Sequence, residues 1–385
     1  MRSYLDQLDT CSRKLREIKE TIIANIVFLG QIPAPTFHEK RLSIKFLDRL
    51  VESEVDECTT DGYQNPIGII RGRDSSRDPI IVVAHLDTSF GKDVDHNFTI
   101  TENMIQGPGV LDNSVGVGMI ASLPMIFKYL DLRFTSDIIL AGVIQSLGKG
   151  NLRGIRHLVK TWPSKIRAAV CIEGVELGRL NYYSDGMIRC EITCNIHTQK
   201  GVEYRFKPNA ILVLHEVINQ ILKIRLPQKP RSRVIIGKIK GGHKHGVIAY
   251  DATLGLEIQS DADRMVKSLF NDIKDIVTGI SHEFGVEIKL NTISNISAAR
   301  LKYNHPLVKA AGEVMRRLDL PIVGDPSESE LSIFLSKKIA AVTLGLTQGD
   351  NYHQPNSRME IEPMFKGIAQ VIGTIQAIDS GVCDE

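Results

Sequence analysis

Aspartate and glutamate are missing from one unbroken stretch of this 385-residue chain, positions 138–172, although the chain as a whole carries 45 acids against 47 Lys and Arg. Any chemistry that this stretch supports must proceed without a carboxylate of its own. A charge excess is missing too. The formal net charge of +2 is too small to build the field that nucleic acid or a membrane surface attracts, so neither is expected as a partner. Cysteine is sparse: Cys11, Cys58, Cys171, Cys190, Cys194 and Cys383 are scattered without tight spacing, which argues for reduced thiols and against a disulfide frame. Cys190 and Cys194 lie an even number apart in an apparent strand and share a face, but no second ligand pair stands near them to complete a metal site. The apolar run at 22–30 is too short to span a membrane. The charged, heptad-like start before it, 1–19, lacks a small-residue cleavage site, so no signal peptide is expected. No internal repeat or low-complexity tract is evident, and the expectation is a cytoplasmic globular protein.

At this length one small core is not enough, and a large domain with a smaller one is expected. Apolar positions at helical spacing run from about Leu5 to Leu29, and Pro33 and Pro35 end them. Short buried-type strands follow at 67–71, 80–85, 138–144 and 168–172, separated by helical stretches such as 116–129 and 152–160. That alternation predicts an α/β fold whose mixed, largely parallel sheet is sandwiched by helices. Near Gly186 the pattern changes: a strand at 187–196, a helix at 208–224, strands at 233–240 and 247–259, a helix at 262–284 and a strand at 286–293. The order β-α-β-β-α-β predicts a ferredoxin-like α+β insert. The first pattern then resumes with helices at 306–318 and 331–336, a strand at 340–346 and a helix at 363–378. Residues 1–185 and 296–385 are therefore read as one discontinuous domain, and 186–295 as a lid inserted into it.

Four metal-ligand candidates fall at the ends of expected strands. In His85-Leu86-Asp87 the histidine closes an apolar strand, at the carboxyl edge where open α/β sheets hold their sites. Asp87 is placed to aim its carboxylate at the imidazole and set its tautomer. Asp112 lies in a glycine-rich turn, 107–116, that lets a carboxylate reach between two ions, although taken singly it is better read as a cap on the following helix. Glu173 follows the strand 168–172, and His353 follows the strand ending near Leu346. Imidazole with carboxylate suits zinc, with manganese or cobalt less well matched.

The order and context of these residues resemble the zinc-dependent amidohydrolases and exopeptidases that include acetylornithine deacetylase, succinyl-diaminopimelate desuccinylase, peptidase T and the glutamate carboxypeptidases. Matching segments are Ile32-Pro33-Ala34-Pro35-Thr36-Phe37-His38-Glu39, 82–88, 107–116, 150–158, Pro208-Asn209-Ala210-Ile211, 341–345 and His353. They cover nearly the whole chain. The resemblance implies a zinc exopeptidase-like fold, a small peptide or N-acyl amino acid as ligand, and a homodimer formed through the lid. It also implies that one metal binds His85, Asp112 and Glu173. A second would share Asp112 and bind His353 together with the second residue of a glutamate pair.

That pair is absent. Its positions match Ser146 and Leu147: serine stands where the general base is expected, and leucine where a carboxylate ligand is expected. A serine hydroxyl alone cannot take a proton near neutral pH, and such assistance is typically worth about a hundred- to ten-thousand-fold in rate. Lys200 and Gly246 stand where the family's lid brings a histidine and an asparagine to the reacting centre. His197, His243 and His245 are the candidate substitutes there, and are equally well read as surface residues on a basic loop. The expectation is one complete metal site and amide hydrolysis that is lost or strongly impaired. The alternative is an active peptidase or deacylase that uses a compensating group or metal-activated hydroxide alone.

Overall fold

A computed structural model describes residues 3–196, 208–327 and 329–383. The chain divides into two compact units, 1–183 with 300–385, and 184–299.

The large unit is built on a seven-stranded sheet. Its four central strands, in the spatial order Ile138–Val143, Ile80–His85, Ala168–Val175 and Ala341–Thr347, run parallel. Antiparallel strands finish the edges: Pro66–Ile70 and Glu57–Thr60 on one side, Leu180–Asn181 on the other. Nearly every residue of the four parallel strands is buried, because helices cover both faces of the sheet. This is why the strands read as continuous Ile, Val and Ala runs without alternation. The helix Val115–Tyr129 is apolar all round and mostly buried, packing against both the sheet and the helix Lys19–Gly30. The stretch 110–129 is long and apolar enough to cross a membrane by composition alone, but 89% of its apolar window is buried inside this unit. The helix Lys40–Glu52, which the sequence reading passed over, buries Leu42, Phe46 and Leu50 at four-residue spacing. Full burial of each such side chain contributes about 1.5–3 kcal/mol.

The small unit is a four-stranded antiparallel sheet in the order Ser232–Gly241, Asp251–Ser260, Gly186–Asn195 and Glu287–Ile296. Its helices Ala210–Leu222 and Asp263–Phe284 supply Val213, Leu214, Val217, Leu269, Ile273 and Val277 to a separate core. The strand order 4-1-3-2 is that of the expected ferredoxin-like insert. Cys190 and Cys194 do share a buried face of its first strand, where burial pushes their thiols up to about 12 and about 11. Among the described residues they belong to no metal-type cluster.

Candidate metal centre

The parallel strands end on one edge of the sheet, and the expected site residues gather there. His85 is the last residue of its strand, and Glu173 lies near the end of the next one, Ala168–Val175, which continues two residues beyond it. The turn carrying Asp112 is Val110–Ser114, entered through Gly109 at φ +74. A side chain there would be strained, and its Cβ would stand 2.8 Å from Thr88 Oγ1. The turn is fastened to the sheet where Asn113 Nδ2 donates to the Ile172 carbonyl at 2.7 Å. Gly174 lets the two approach, since a Cβ on it would sit 2.2 Å from the Leu111 carbonyl oxygen. The glycine-rich motif therefore serves close approach as well as turn geometry.

Ligand-type atoms of His85, Asp112 and Glu173 all lie within 4.8 Å of one another, the one such cluster among the described residues. His85 Nε2 is 3.1 Å from Asp112 Oδ1 and 4.0 Å from Glu173 Oε2. The other Asp112 oxygen, Oδ2, is 3.3 Å from His353 Nδ1, so this carboxylate stands between two imidazoles. His353 is the exposed member, with its side chain 59% accessible and its ring against Tyr352 at 3.8 Å between centroids. Three donors, one nitrogen and two carboxylates, fit zinc in kind and number.

Asp87 does its work differently from expectation. His85 Nδ1 donates to the Asp87 main-chain carbonyl at 2.9 Å, while the Asp87 carboxylate is farther off, at 3.7 Å. A carbonyl only accepts, so Nδ1 carries the hydrogen and Nε2 is turned toward Asp112 and Glu173. The carboxylate instead accepts from the backbone N–H groups of Ser146 (3.0 Å) and Leu147 (2.8 Å) and from the Thr36 hydroxyl (2.8 Å). It thereby pins the acid-free segment beside the site. Glu39 assists by accepting from the N–H groups of Phe37 and Gln145 at 3.0 and 2.9 Å.

Ser146 is buried, and its hydroxyl donates to Glu330 Oε1 at 2.5 Å. Glu330 carries no signal of this role in the sequence. An acid opening the helix Glu330–Ser336 looks like a favourable charge at a helix start, and nothing in spacing links it to a serine 184 positions away. Lys200 and His197 lie outside the described residues. In the small unit His243 Nε2 pairs with Asp251 Oδ1 at 2.7 Å.

The charges are strongly coupled. Burial works to raise Asp112, yet hydrogen bonds from His353 and His85 hold its carboxyl well below the usual range. For Asp87 burial is likewise outweighed, by His85 and by the Leu147 and Ser146 N–H groups, and its carboxyl is lowered. Burial opposes charge on His85, but Asp112, Asp87 and Glu173 hold its pKa well above 6.5. His353 is raised chiefly by its hydrogen bond to Asp112. Glu173 is pushed up to about 7, first by burial, with the charges of Asp112 and Glu330 adding to it and His85 and Arg179 opposing. A metal needs both His85 Nε2 and Glu173 deprotonated. The sign follows: metal affinity falls as pH drops through 7, by about tenfold per pH unit for each proton displaced. Calorimetry between pH 8 and 6, in buffers of different ionisation enthalpy, checks this. Affinity independent of pH, with no proton release, would contradict it.

Fold and donor set together define a protein of the metallopeptidase type, with ligands on the carboxyl edge of a parallel sheet. The chain belongs to peptidase family M20/M25/M40, whose sequence profile matches residues 81–377. Solved structures share the fold at low identity. A tripeptidase from Staphylococcus aureus subsp. aureus mu50 is 17% identical with a TM-score of 0.74, covering 94% of this chain and 99% of that one. The di-peptidase Dug1p from Saccharomyces cerevisiae is 13% identical with a TM-score of 0.75, covering 99% of each. The YXEP protein of Bacillus subtilis, a dinuclear metal-binding peptidase, is 15% identical with a TM-score of 0.64, covering 94% of this chain and 98% of that one. No curated protein is a significant match by sequence.

Proposed function

We propose that this chain binds one divalent ion, zinc by donor chemistry, through His85, Asp112 and Glu173, and holds a small peptide or N-acyl amino acid against it. The observation that carries this is the clustering of those three side chains' ligand atoms within 4.8 Å. When bound, the ion would supply Lewis acidity toward an amide carbonyl and acidify water. His353 shares Asp112, but Leu147 offers no donor to a second ion. With serine at 146, hydrolysis is strongly impaired relative to relatives that carry the glutamate pair. An active peptidase or deacylase is the second reading, favoured by the Glu330 carboxylate on Ser146.

The test is metal stoichiometry of protein purified without chelator, together with hydrolysis assays on dipeptides and N-acyl amino acids. One ion per chain is expected, and its loss in His85→Ala. Protein that binds no divalent ion at any concentration would overturn the reading.

The compartment proposed is the cytoplasm, in keeping with the six free cysteines. Assembly is proposed as a homodimer through the small unit. In support, Ser232–Gly241 is a sheet edge carrying exposed Ile235 and Ile239, and the helix Ala210–Leu222 exposes Ile211, Leu212 and Leu222. Sedimentation should give about twice the mass of one chain, reduced to a single chain by Leu212→Glu with Ile239→Lys. A monomer at every concentration would sink the dimer.

A further inference from the structure

A serine hydroxyl on its own is no base near neutral pH, but Ser146 is not on its own. Its Oγ donates to Glu330 Oε1 at 2.5 Å, the short end of the range for hydroxyl donors to carboxylates. The two side chains are 6% and 2% exposed, so bulk water does not weaken the bond. Both ends are held. The Ser146 N–H is tied to Asp87 Oδ1 at 3.0 Å, and Glu330 opens a helix whose Leu331, Ile333 and Phe334 are buried. The pair is joined to the ligand cluster through Asp87, whose Oδ1 accepts from the Ser146 N–H at 3.0 Å and stands 3.7 Å from His85 Nδ1. A glutamate at 146 would extend about two bonds past the position of Oγ, and here an acid oxygen from another helix stands one hydrogen bond past it.

We propose that Ser146 and Glu330 form a proton relay that stands in for the absent glutamate and carries the residual amide hydrolysis of this site. The inference rests on the metal-binding function proposed above. As the oxygen of water bonds to the amide carbonyl carbon, its proton passes to Ser146 Oγ while the serine's own proton passes to Glu330 Oε1. The transfer then reverses: Glu330 returns its proton to Ser146, whose hydroxyl protonates the amide nitrogen. The C–N bond breaks, releasing a carboxylic acid and an amine. Ser146 gives up a proton as it gains one, so it never has to hold both. In this scheme Ser146 touches the reacting atoms, and Glu330 is a positioning residue that acts through it.

The experiment uses zinc-loaded full-length protein with dipeptide and N-acyl amino acid panels, calorimetry for zinc and melting curves for folding. Glu330→Gln is expected to lower kcat at least about 100-fold, with KM and zinc affinity within about twofold of wild type. Ser146→Ala should do the same, and the double variant should lose no more than either single change, as for two groups in one relay. Ser146→Glu placed in the Glu330→Gln background should restore turnover by supplying a base directly, while a fall in kcat at unchanged KM, zinc affinity and melting temperature in the single variants is what a purely structural pair would not give. Wild-type kcat in either single variant would overturn the relay. So would a wild type that binds zinc and turns over nothing, leaving the metal-binding reading intact. Failure to bind zinc at all would sink that reading and the relay with it.

Discussion

Placing glutamate at both 146 and 147, together with Glu330→Gln, is expected to raise bound metal from one ion per chain to two and to increase amide hydrolysis about a hundred- to ten-thousand-fold. The third change matters. Ser146 Oγ is 2.5 Å from Glu330 Oε1, so a carboxylate at 146 would meet another carboxylate in a buried site, and like charges there cannot both ionise cheaply. Ser146→Glu with Leu147→Glu alone should therefore gain less than the triple variant. The second ion would draw on Asp112 Oδ2 and His353 Nδ1, already 3.3 Å apart, with Leu147→Glu adding the missing carboxylate. Metal counting by mass spectrometry, followed by turnover on dipeptides, decides the matter. One ion and unchanged rates in a correctly folded triple variant would mean that more than this pair separates the chain from its two-metal relatives.

The opposite change should be as large. Asp112→Ala removes the group that lies between His85 Nε2 and His353 Nδ1, at 3.1 and 3.3 Å from its two oxygens, and with it one of the three proposed ligands. We expect zinc affinity to fall at least 100-fold. Zinc at 100 times its wild-type dissociation constant adds about 2.7 kcal/mol to stability by mass action, and that increment should fall to about 0.4 kcal/mol or less. Asp112→Asn separates charge from packing: it keeps the shape but cannot bridge as an anion, and its loss should approach that of alanine. A melting temperature that rises with zinc in Asp112→Ala as much as in wild type would show that the ion binds elsewhere.

Much of this centre is legible in the sequence because it is local. A histidine after five apolar residues, a glutamate after another such run and an aspartate among glycines each mark the end of a strand or a tight turn. Parallel strands deliver their carboxyl ends to one edge, so residues far apart in the chain converge without any signal beyond that pattern. The absence of acids from 138–172 is likewise a matter of reading letters, and it leaves the positions where the family resemblance expects a ligand and a base without a carboxylate before any fold is known. The small unit's β-α-β-β-α-β order is legible for the same reason, since periodicity within each segment identifies it.

Other features required the fold. Periodicity places Asp87 after a strand but not the direction of its carboxylate, which turns to the Ser146 and Leu147 N–H groups and leaves the tautomer of His85 to a main-chain carbonyl. No local pattern could join Glu330 to Ser146. That contact exists because the helix Glu330–Ser336 packs near the parallel strands and presents its first residue to the segment after Ile138–Val143. The sequence by itself determined the family, the order of the elements, the candidate metal ligands and the lack of a carboxylate at positions 146 and 147, because each follows from residue type and short-range spacing. Only the tertiary structure decided what faces Ser146, because a hydrogen bond between residues 184 positions apart is set by how helices pack on a sheet.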